Sequence, residues 1–241
     1  MRSRSARCML LVALSALPAC HAPSSDRGSL VPDGLEMRYR GEVDALVEQA
    51  DAKGVARGGT IVVGSSIVRL WKTVGEDLAP WQPVNHGFGG SRTWELVEYA
   101  DELVIDFQPK SVIVYSGSND INAGEDAESI ARRVEWFMAD VENALPAVEI
   151  VYLAINRAPQ KRDRWDVVDD ANRRISVLCA GRSNRHFVDV NVGLFDEHGE
   201  PRLDLYQDDL LHFRPEAYRE VFAPGVERTL QRIEPVAPSG P

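Results

Sequence analysis

Short apolar runs rich in β-branched residues alternate along this chain with longer amphipathic segments. Runs of this length and composition are typical of strands. When strands alternate with helices, the expected architecture is a parallel sheet whose two faces are covered by the connecting helices. The predicted strands are residues 60–63, 83–85, 111–115, 149–154 and 185–189.

The segments between these strands have the spacing of amphipathic helices. The predicted helices are residues 66–78, 93–104, 127–145, 167–180 and 215–233, with a further packing helix within 35–53. In parallel sheets of this kind, ligands bind beyond the carboxyl ends of the strands. We therefore expect the chemistry of the protein in the loops that directly follow strands.

Residues 1–19 form a predicted export signal. Arg2, Arg4 and Arg7 precede an apolar stretch that is shorter than the ~20 residues a bilayer-spanning helix needs. Residues 17–20, with the sequence Leu-Pro-Ala-Cys, resemble the lipobox of bacterial lipoproteins, in which the cysteine becomes the lipid-modified first residue. The alternative is an ordinary cleaved signal peptide that contains a cysteine.

The lipobox resemblance implies a protein that is exported to the bacterial cell envelope and anchored to a membrane by a lipid on Cys20. Residues 20–34, which are rich in Ser, Pro and Gly, would then be the lipidated cysteine and a flexible tether. We expect residues 35–235, which have the length of one globular domain, to fold as a single domain, and residues 236–241 to form a C-terminal tail.

The cysteine content and the charge limit the disulfide bonds and the binding partners that the chain can have. Of the three cysteines, Cys8 would be removed with the signal and Cys20 lipidated, so Cys179 has no expected disulfide partner within the chain. The 27 Lys and Arg residues are outnumbered by 37 Asp and Glu residues. This acidic balance opposes binding to nucleic acid, and it leaves the lipid anchor as the expected membrane contact.

Four stretches place reactive or hydrogen-bonding residues at the predicted ligand-binding edge. Ser66 follows the first strand, a glycine-rich turn at 85–91 follows the second, and Asn119 follows the third. Asp209 lies three residues before His212, ahead of the last helix. Alone, each has a simpler explanation as a helix cap or a turn. Because all four stretches are predicted to lie at the same edge of the sheet, we interpret them as parts of one site.

Other kinds of site fit these residues less well. The glycine-rich turn has Arg92 where a dinucleotide-binding loop has its third glycine, and it follows the second strand instead of the first. The chain has no His-Glu-x-x-His spacing, and its remaining histidines are scattered singly, so no metal site is predicted. The Gly-x-Ser-x-Gly turn of α/β-hydrolases is absent as well.

The four stretches resemble the four sequence blocks of the SGNH hydrolases, also called the GDSL esterase and lipase family. The family's serine, glycine, asparagine and histidine fall on Ser66, Gly90, Asn119 and His212, and Asp209 is the aspartate before the histidine. Where the GDSL name records an aspartate, this chain has Ser65, as in branches of the family with a Gly-Ser-Ser sequence. The resemblance implies a flavodoxin-like three-layer α/β/α sandwich with a parallel five-stranded sheet.

The expected activity is the hydrolysis of acyl esters, without a metal or another cofactor. His212 would take the proton of Ser66, the serine would attack the ester carbonyl to form an acyl-enzyme, and Asp209 would orient the imidazole. The N–H groups of Ser66 and Gly90 and the side-chain amide of Asn119 would hold the oxyanion. The expected substrates are small-molecule, carbohydrate or lipid acyl esters.

Two other functions are compatible with the same sequence. An O-acyltransferase would pass the acyl group to a sugar hydroxyl instead of water. A non-catalytic surface lipoprotein would keep the fold as a binding module, although the complete catalytic set argues against it.

A basic loop after the fourth predicted strand gives a candidate substrate contact. Arg157 is the expected residue, together with Lys161, Arg162 and Arg164, because a cluster of cations at the crevice suits a polar or anionic substrate. The alternative is a solvated basic loop without a role in binding.

Overall fold

A parallel sheet of five strands forms the centre of the protein. The computed structural model describes residues 38–52, 55 and 57–235. Its strands are β1 (Thr60–Gly64), β2 (Val84–Gly87), β3 (Ser111–Tyr115), β4 (Glu149–Leu153) and β5 (Arg185–Val188), in the order β2-β1-β3-β4-β5. This is the strand order of flavodoxin-like doubly wound sheets. The predicted α/β fold with a parallel five-stranded sheet is confirmed.

Helices connect the strands and flank the sheet. They are α1 (Arg40–Ala52), α2 (Ser66–Leu70), α3 (Val74–Asp77), α4 (Thr93–Glu98), α5 (Ala100–Leu103), α6 (Ser118–Asn122), α7 (Ala127–Ala144), α8 (Trp165–Ala180), α9 (Asn191–Leu194), α10 (Pro215–Ala217) and α11 (Ala223–Ile233). One π-helical turn, Tyr218–Phe222, joins α10 to α11. The last predicted helix, 215–233, is therefore continuous in space but changes its hydrogen-bond pattern.

The central strands are buried along their whole length, which explains why their sequences are apolar runs instead of alternating patterns. Val62, Ile113 and Val151 are equivalent positions on neighbouring strands and face the same side of the sheet. They belong to one apolar cluster with Phe222 and Leu230 from the C-terminal helical segment. Alternate residues of each strand face the other side.

The predicted helix at 66–78 is wrong, because the structure has two short helices there. Trp71 leaves the helical conformation with a ψ of 71°. Its indole stacks on Tyr218 at 5.4 Å between ring centroids, and its Nε1 donates to Asp77 at 2.7 Å. Thr73 donates to the same carboxylate at 2.6 Å. Burial of the tryptophan and this shared acceptor outweigh the helical pattern of the segment.

Several predictions fall on the ends of the chain. The export signal 1–19, Cys20, the tether 20–34 and the tail 236–241 lie outside the described residues. Within those residues, no helix is long and apolar enough to cross a bilayer. Cys179 is a buried free thiol, and burial raises the pKa of that thiol to about 11.

Candidate active site

Ser66 lies at the carboxyl edge of the sheet, where β1 turns into α2. Two residues earlier, Gly64 has a φ of 145°, and a Cβ there would lie 1.9 Å from the carbonyl oxygen of Tyr115. Only glycine therefore allows β1 to end this close to β3. Ser66 is the first residue of α2, so its N–H has no acceptor within that helix. No backbone carbonyl in the described chain accepts this N–H.

A continuous hydrogen-bonded relay joins three of the predicted residues. His212 Nε2 lies 2.8 Å from Ser66 Oγ, and His212 Nδ1 lies 2.5 Å from Asp209 Oδ2. The carboxylate fixes the proton on Nδ1, so Nε2 faces the hydroxyl as an acceptor. Residues 146 positions apart in the sequence thus form one geometric unit.

The loop that presents His212 is held by its own hydrogen bonds. Asp209 Oδ1 accepts the N–H groups of Leu211 and His212 at 3.0 and 2.9 Å. Burial acts to raise the pKa of Asp209, but the hydrogen bonds from His212 and Leu211 outweigh it, so the pKa is lowered and the group stays a carboxylate. Leu210 has a φ of 57°, a left-handed conformation that turns the chain between Asp209 and His212.

The neighbouring hydroxyl, that of Ser65, has a different environment. Ser65 is 1% exposed, and its Oγ has no hydrogen-bond partner among the described residues. It stands at the N-cap position of α2 but makes no side-chain capping bond. Ser65 therefore occupies the N-cap position without the hydrogen bond that a capping serine usually makes. Of the two serines, Ser66 is the one whose hydroxyl contacts His212 in the described chain.

The glycine-rich turn after β2 presents a free backbone donor. Gly90 has a φ of 83°, which favours glycine because it has no Cβ. The N–H of its neighbour Gly89 is bonded to Glu42 Oε1 at 3.2 Å. The N–H of Gly90 is accepted by no backbone carbonyl of the described chain, so it is available for a bound anion.

Asn119 belongs to α6, a five-residue helix that the sequence patterns did not predict. Its Nδ2 donates to the backbone carbonyl of Ser91 at 2.9 Å. This bond links the loop after β3 to the turn after β2 and fixes which end of the amide carries the donor. The NH₂ group has a second hydrogen that can donate to another acceptor.

Two buried charged residues support the loop of Asn119, and neither was predicted in this role, since Lys161 was expected to contact substrate. Asp120 accepts from Thr93 N–H at 3.0 Å and from its hydroxyl at 2.5 Å, which ties α6 to the start of α4. Burial raises the pKa of Asp120 to about 6. Lys161 is 2% exposed and donates to the carbonyl and hydroxyl of Ser118 at 3.0 and 2.5 Å. Burial lowers its pKa to about 8.

The predicted basic loop is occupied by contacts within the chain. Arg157 Nε pairs with Asp169 at 2.6 Å, and Arg162 pairs with Glu200 at 2.6 Å. Arg157 also lines a crevice of about 560 Å³ whose lining does not include Ser66, Asn119 or His212. No contact in the described chain joins Arg157 to the relay. Among the described residues, no group of three or more His, Cys, Asp or Glu side chains is arranged to hold a metal ion.

Comparison with known proteins gives the class of this protein. Residues 37–220 match the model of the GDSL-like lipase/acylhydrolase family, which is the family predicted from the sequence. The chain belongs to this family, and it is an enzyme of the esterase and lipase class that acts on ester bonds. A search of the curated proteins found no match.

Solved structures with the same fold have low sequence identity to this chain. A GDSL-like lipase from Bacteroides thetaiotaomicron superposes with a TM-score of 0.65 at 16% identity, over 77% of this chain and 97% of that one. A lipase/acylhydrolase from Enterococcus faecalis gives 0.62 at 16%, over 76% and 100% of the two chains. A carbohydrate esterase of family 3 from Talaromyces cellulolyticus gives 0.58 at 16%, over 75% and 100%. These similarities establish the fold.

Proposed function

We propose that this protein hydrolyses acyl esters through an acyl-enzyme on Ser66, with His212 as general base and Asp209 as the residue that orients it. The relay of 2.5 Å from Asp209 to His212 and 2.8 Å from His212 to Ser66 carries the proposal. Both distances are within hydrogen-bond range before any substrate is bound, as a preorganised base and nucleophile require.

The reaction proceeds in two steps, and in each step His212 first accepts a proton and then donates it. As Ser66 Oγ attacks the ester carbonyl, its proton moves to His212 Nε2, and the imidazolium is stabilised by Asp209. Collapse of the tetrahedral intermediate transfers that proton to the leaving alcohol and leaves the acyl-enzyme. Water then gives its proton to His212 and attacks the acyl group, which releases the acid and restores Ser66.

Three donors form the proposed oxyanion hole. They are the N–H groups of Ser66 and Gly90 and the Nδ2 of Asn119, which belong to the segments that follow β1, β2 and β3. These donors are fixed by the fold, so little reorganisation is needed when negative charge develops on the carbonyl oxygen. The Ser66 N–H also lies at the start of a helix, which favours an anion.

A panel of acyl esters tests this function and defines the substrate class. The panel grades the acyl chain and the alcohol, and each ester is assayed in water alone and with a sugar as the acyl acceptor. We expect free acid to form in water from at least one ester, with the same product dominating when the acceptor is present. Exclusive formation of the sugar ester would identify an acyltransferase. No turnover of any ester, combined with no labelling of the protein by a fluorophosphonate, would contradict the proposal.

We also propose that a lipid on Cys20 anchors the protein to a membrane of the bacterial cell envelope, based on the Leu-Pro-Ala-Cys sequence at 17–20. Metabolic labelling with a fatty-acid analogue should mark the wild-type protein and the Cys8→Ser variant. The label should be lost from Cys20→Ser. A label that persists in Cys20→Ser would contradict the anchor.

A further inference from the structure

We propose that three residues at the start of the described chain position the oxyanion hole. Arg38, Tyr39 and Glu42, called here the N-terminal clasp, contact the turn after β2 and the beginning of α4, on either side of Gly90. They hold this turn so that the Gly90 N–H points into the crevice. The inference rests on the proposed function, because it assigns a catalytic role to that N–H.

The first contact of the clasp is a two-pronged ion pair. Arg38 Nε and Nη2 donate to Glu95 Oε1 and Oε2 at 2.9 and 3.0 Å. The Glu95 side chain is fully buried, and its Oε2 also accepts the Arg92 N–H at 2.9 Å. A buried carboxylate needs such partners to remain charged. Arg38 therefore stabilises the carboxylate that fixes the far end of the turn.

Tyr39 forms the second contact, directly over Gly90. A Cβ built on Gly90 would lie 2.8 Å from the Tyr39 hydroxyl oxygen. The ring packs edge-on against Phe88 at 5.5 Å between centroids, and Phe88 is completely buried. The phenol thus limits the space in which the Gly90 peptide can rotate.

Glu42 makes the third contact, at the near end of the turn. Its carboxylate accepts the Gly89 N–H at 3.2 Å. This hydrogen bond satisfies the Gly89 N–H and fixes the plane of the peptide between Phe88 and Gly89. Together with Glu95, it holds the chain on both sides of Gly90.

The turn requires this support because the adjacent glycines Gly89 and Gly90 restrict the backbone little. Asn119 and Asp120 hold Ser91 and Thr93 from the side of β3. The clasp holds the turn from residues 38–42, which precede β1 in the sequence. Its three residues contact Glu95, Gly90 and Gly89 in turn. Displacement of a catalytic group by about 1 Å can cost up to about 10²-fold in rate. A loosened turn should therefore lower kcat without weakening the binding of the ground-state ester.

The main test compares Arg38→Met with Arg40→Met in the full-length protein. Arg40 is two residues away, pairs with Glu102 at 2.7 Å and lies over the Tyr99 ring, so it matches Arg38 in type and location without contacting the turn. We expect Arg38→Met to lower kcat about tenfold with KM within about twofold of the wild type. Arg40→Met should leave both constants unchanged. In the double variant Arg38→Met/Glu95→Gln, the Glu95 carboxylate that Arg38→Met leaves unpaired is replaced by a neutral amide. This double variant should therefore recover part of the kcat that Arg38→Met loses.

Two further measurements keep the test decisive. Glu42→Ala, at an exposed position that does not threaten folding, should lower kcat about threefold, whereas Glu42→Gln keeps an acceptor for Gly89 and should not. Amide NMR signals of Gly89 and Gly90 should shift in Arg38→Met and stay in place in Arg40→Met. If these signals shift but the wild type hydrolyses no ester, the clasp stands and the proposed function fails. If the wild type is active and Arg38→Met behaves like Arg40→Met in both kcat and NMR, the clasp is overturned.

Discussion

Replacing Ser66 by alanine should lower kcat for ester hydrolysis by about 10⁴-fold or more. Ser66 Oγ is the only hydroxyl within reach of His212 Nε2 among the contacts of the described chain, at 2.8 Å. Without it, no acyl-enzyme forms, and the remaining acceleration comes only from binding and from the oxyanion donors. Steady-state kinetics with the best ester of the panel measures the effect.

The matched control is Ser65→Ala, which removes the same atom one residue away. The Ser65 hydroxyl is buried and has no partner among the described residues, so its removal should leave kcat within about threefold and should not destabilise the protein. A comparable loss of activity in Ser65→Ala, with Ser66→Ala active and folded, would reverse the assignment of the nucleophile.

Asn119→Ala should lower kcat by about 10²- to 10³-fold with little change in KM. The amide is a donor to the oxyanion, which exists only in the transition state and the intermediate, so its loss affects the chemical step more than substrate binding. Asn119→Asp should be at least as severe, because the substituted carboxylate cannot donate to the Ser91 carbonyl and places negative charge beside the oxyanion.

A second asparagine in the same helix provides the control for this experiment. Asn122 is the last residue of α6, and its side chain is exposed. Asn122→Ala should therefore leave kcat and KM unchanged, which separates a specific effect of the Asn119 amide from a general disturbance of the helix. If Asn119→Ala retains the wild-type kcat, Asn119 is a structural link between two loops and not part of the oxyanion hole.

The sheet could be predicted closely from sequence because burial on both faces leaves a strong local signal. The segment 111–115 was predicted with the bounds that β3 has, and β1, β4 and β5 differ from the prediction by one residue at the carboxyl end. Strand β2 begins one residue later and ends two residues later than predicted. The loops after these strands follow from the topology, since parallel strands bring their carboxyl ends to one edge. Ser66 and Asn119 could therefore be predicted to lie at one edge of the sheet, whereas the Asp209–His212 pair, which precedes the last helix, was assigned there by its spacing and by the family resemblance.

The supporting residues could not be predicted because their contacts are not local. Arg38 and Glu95 are 57 positions apart, and Lys161 is 43 positions from Ser118. No spacing rule connects such pairs, and Lys161 appeared in the sequence as one cation of a basic loop. Arg157 illustrates the same limit, since its partner Asp169 lies on α8 and the loop sequence gives no sign of that pairing.

The most direct test of the account is the site at which a fluorophosphonate probe reacts. The probe modifies a serine only when a base and an oxyanion hole activate it. Mass spectrometry of the labelled peptide should place the adduct on Ser66 in the wild type and in Ser65→Ala, and Ser66→Ala should not react. An adduct on Ser65, or undiminished labelling of folded Ser66→Ala, would contradict the assignment of Ser66 as the nucleophile.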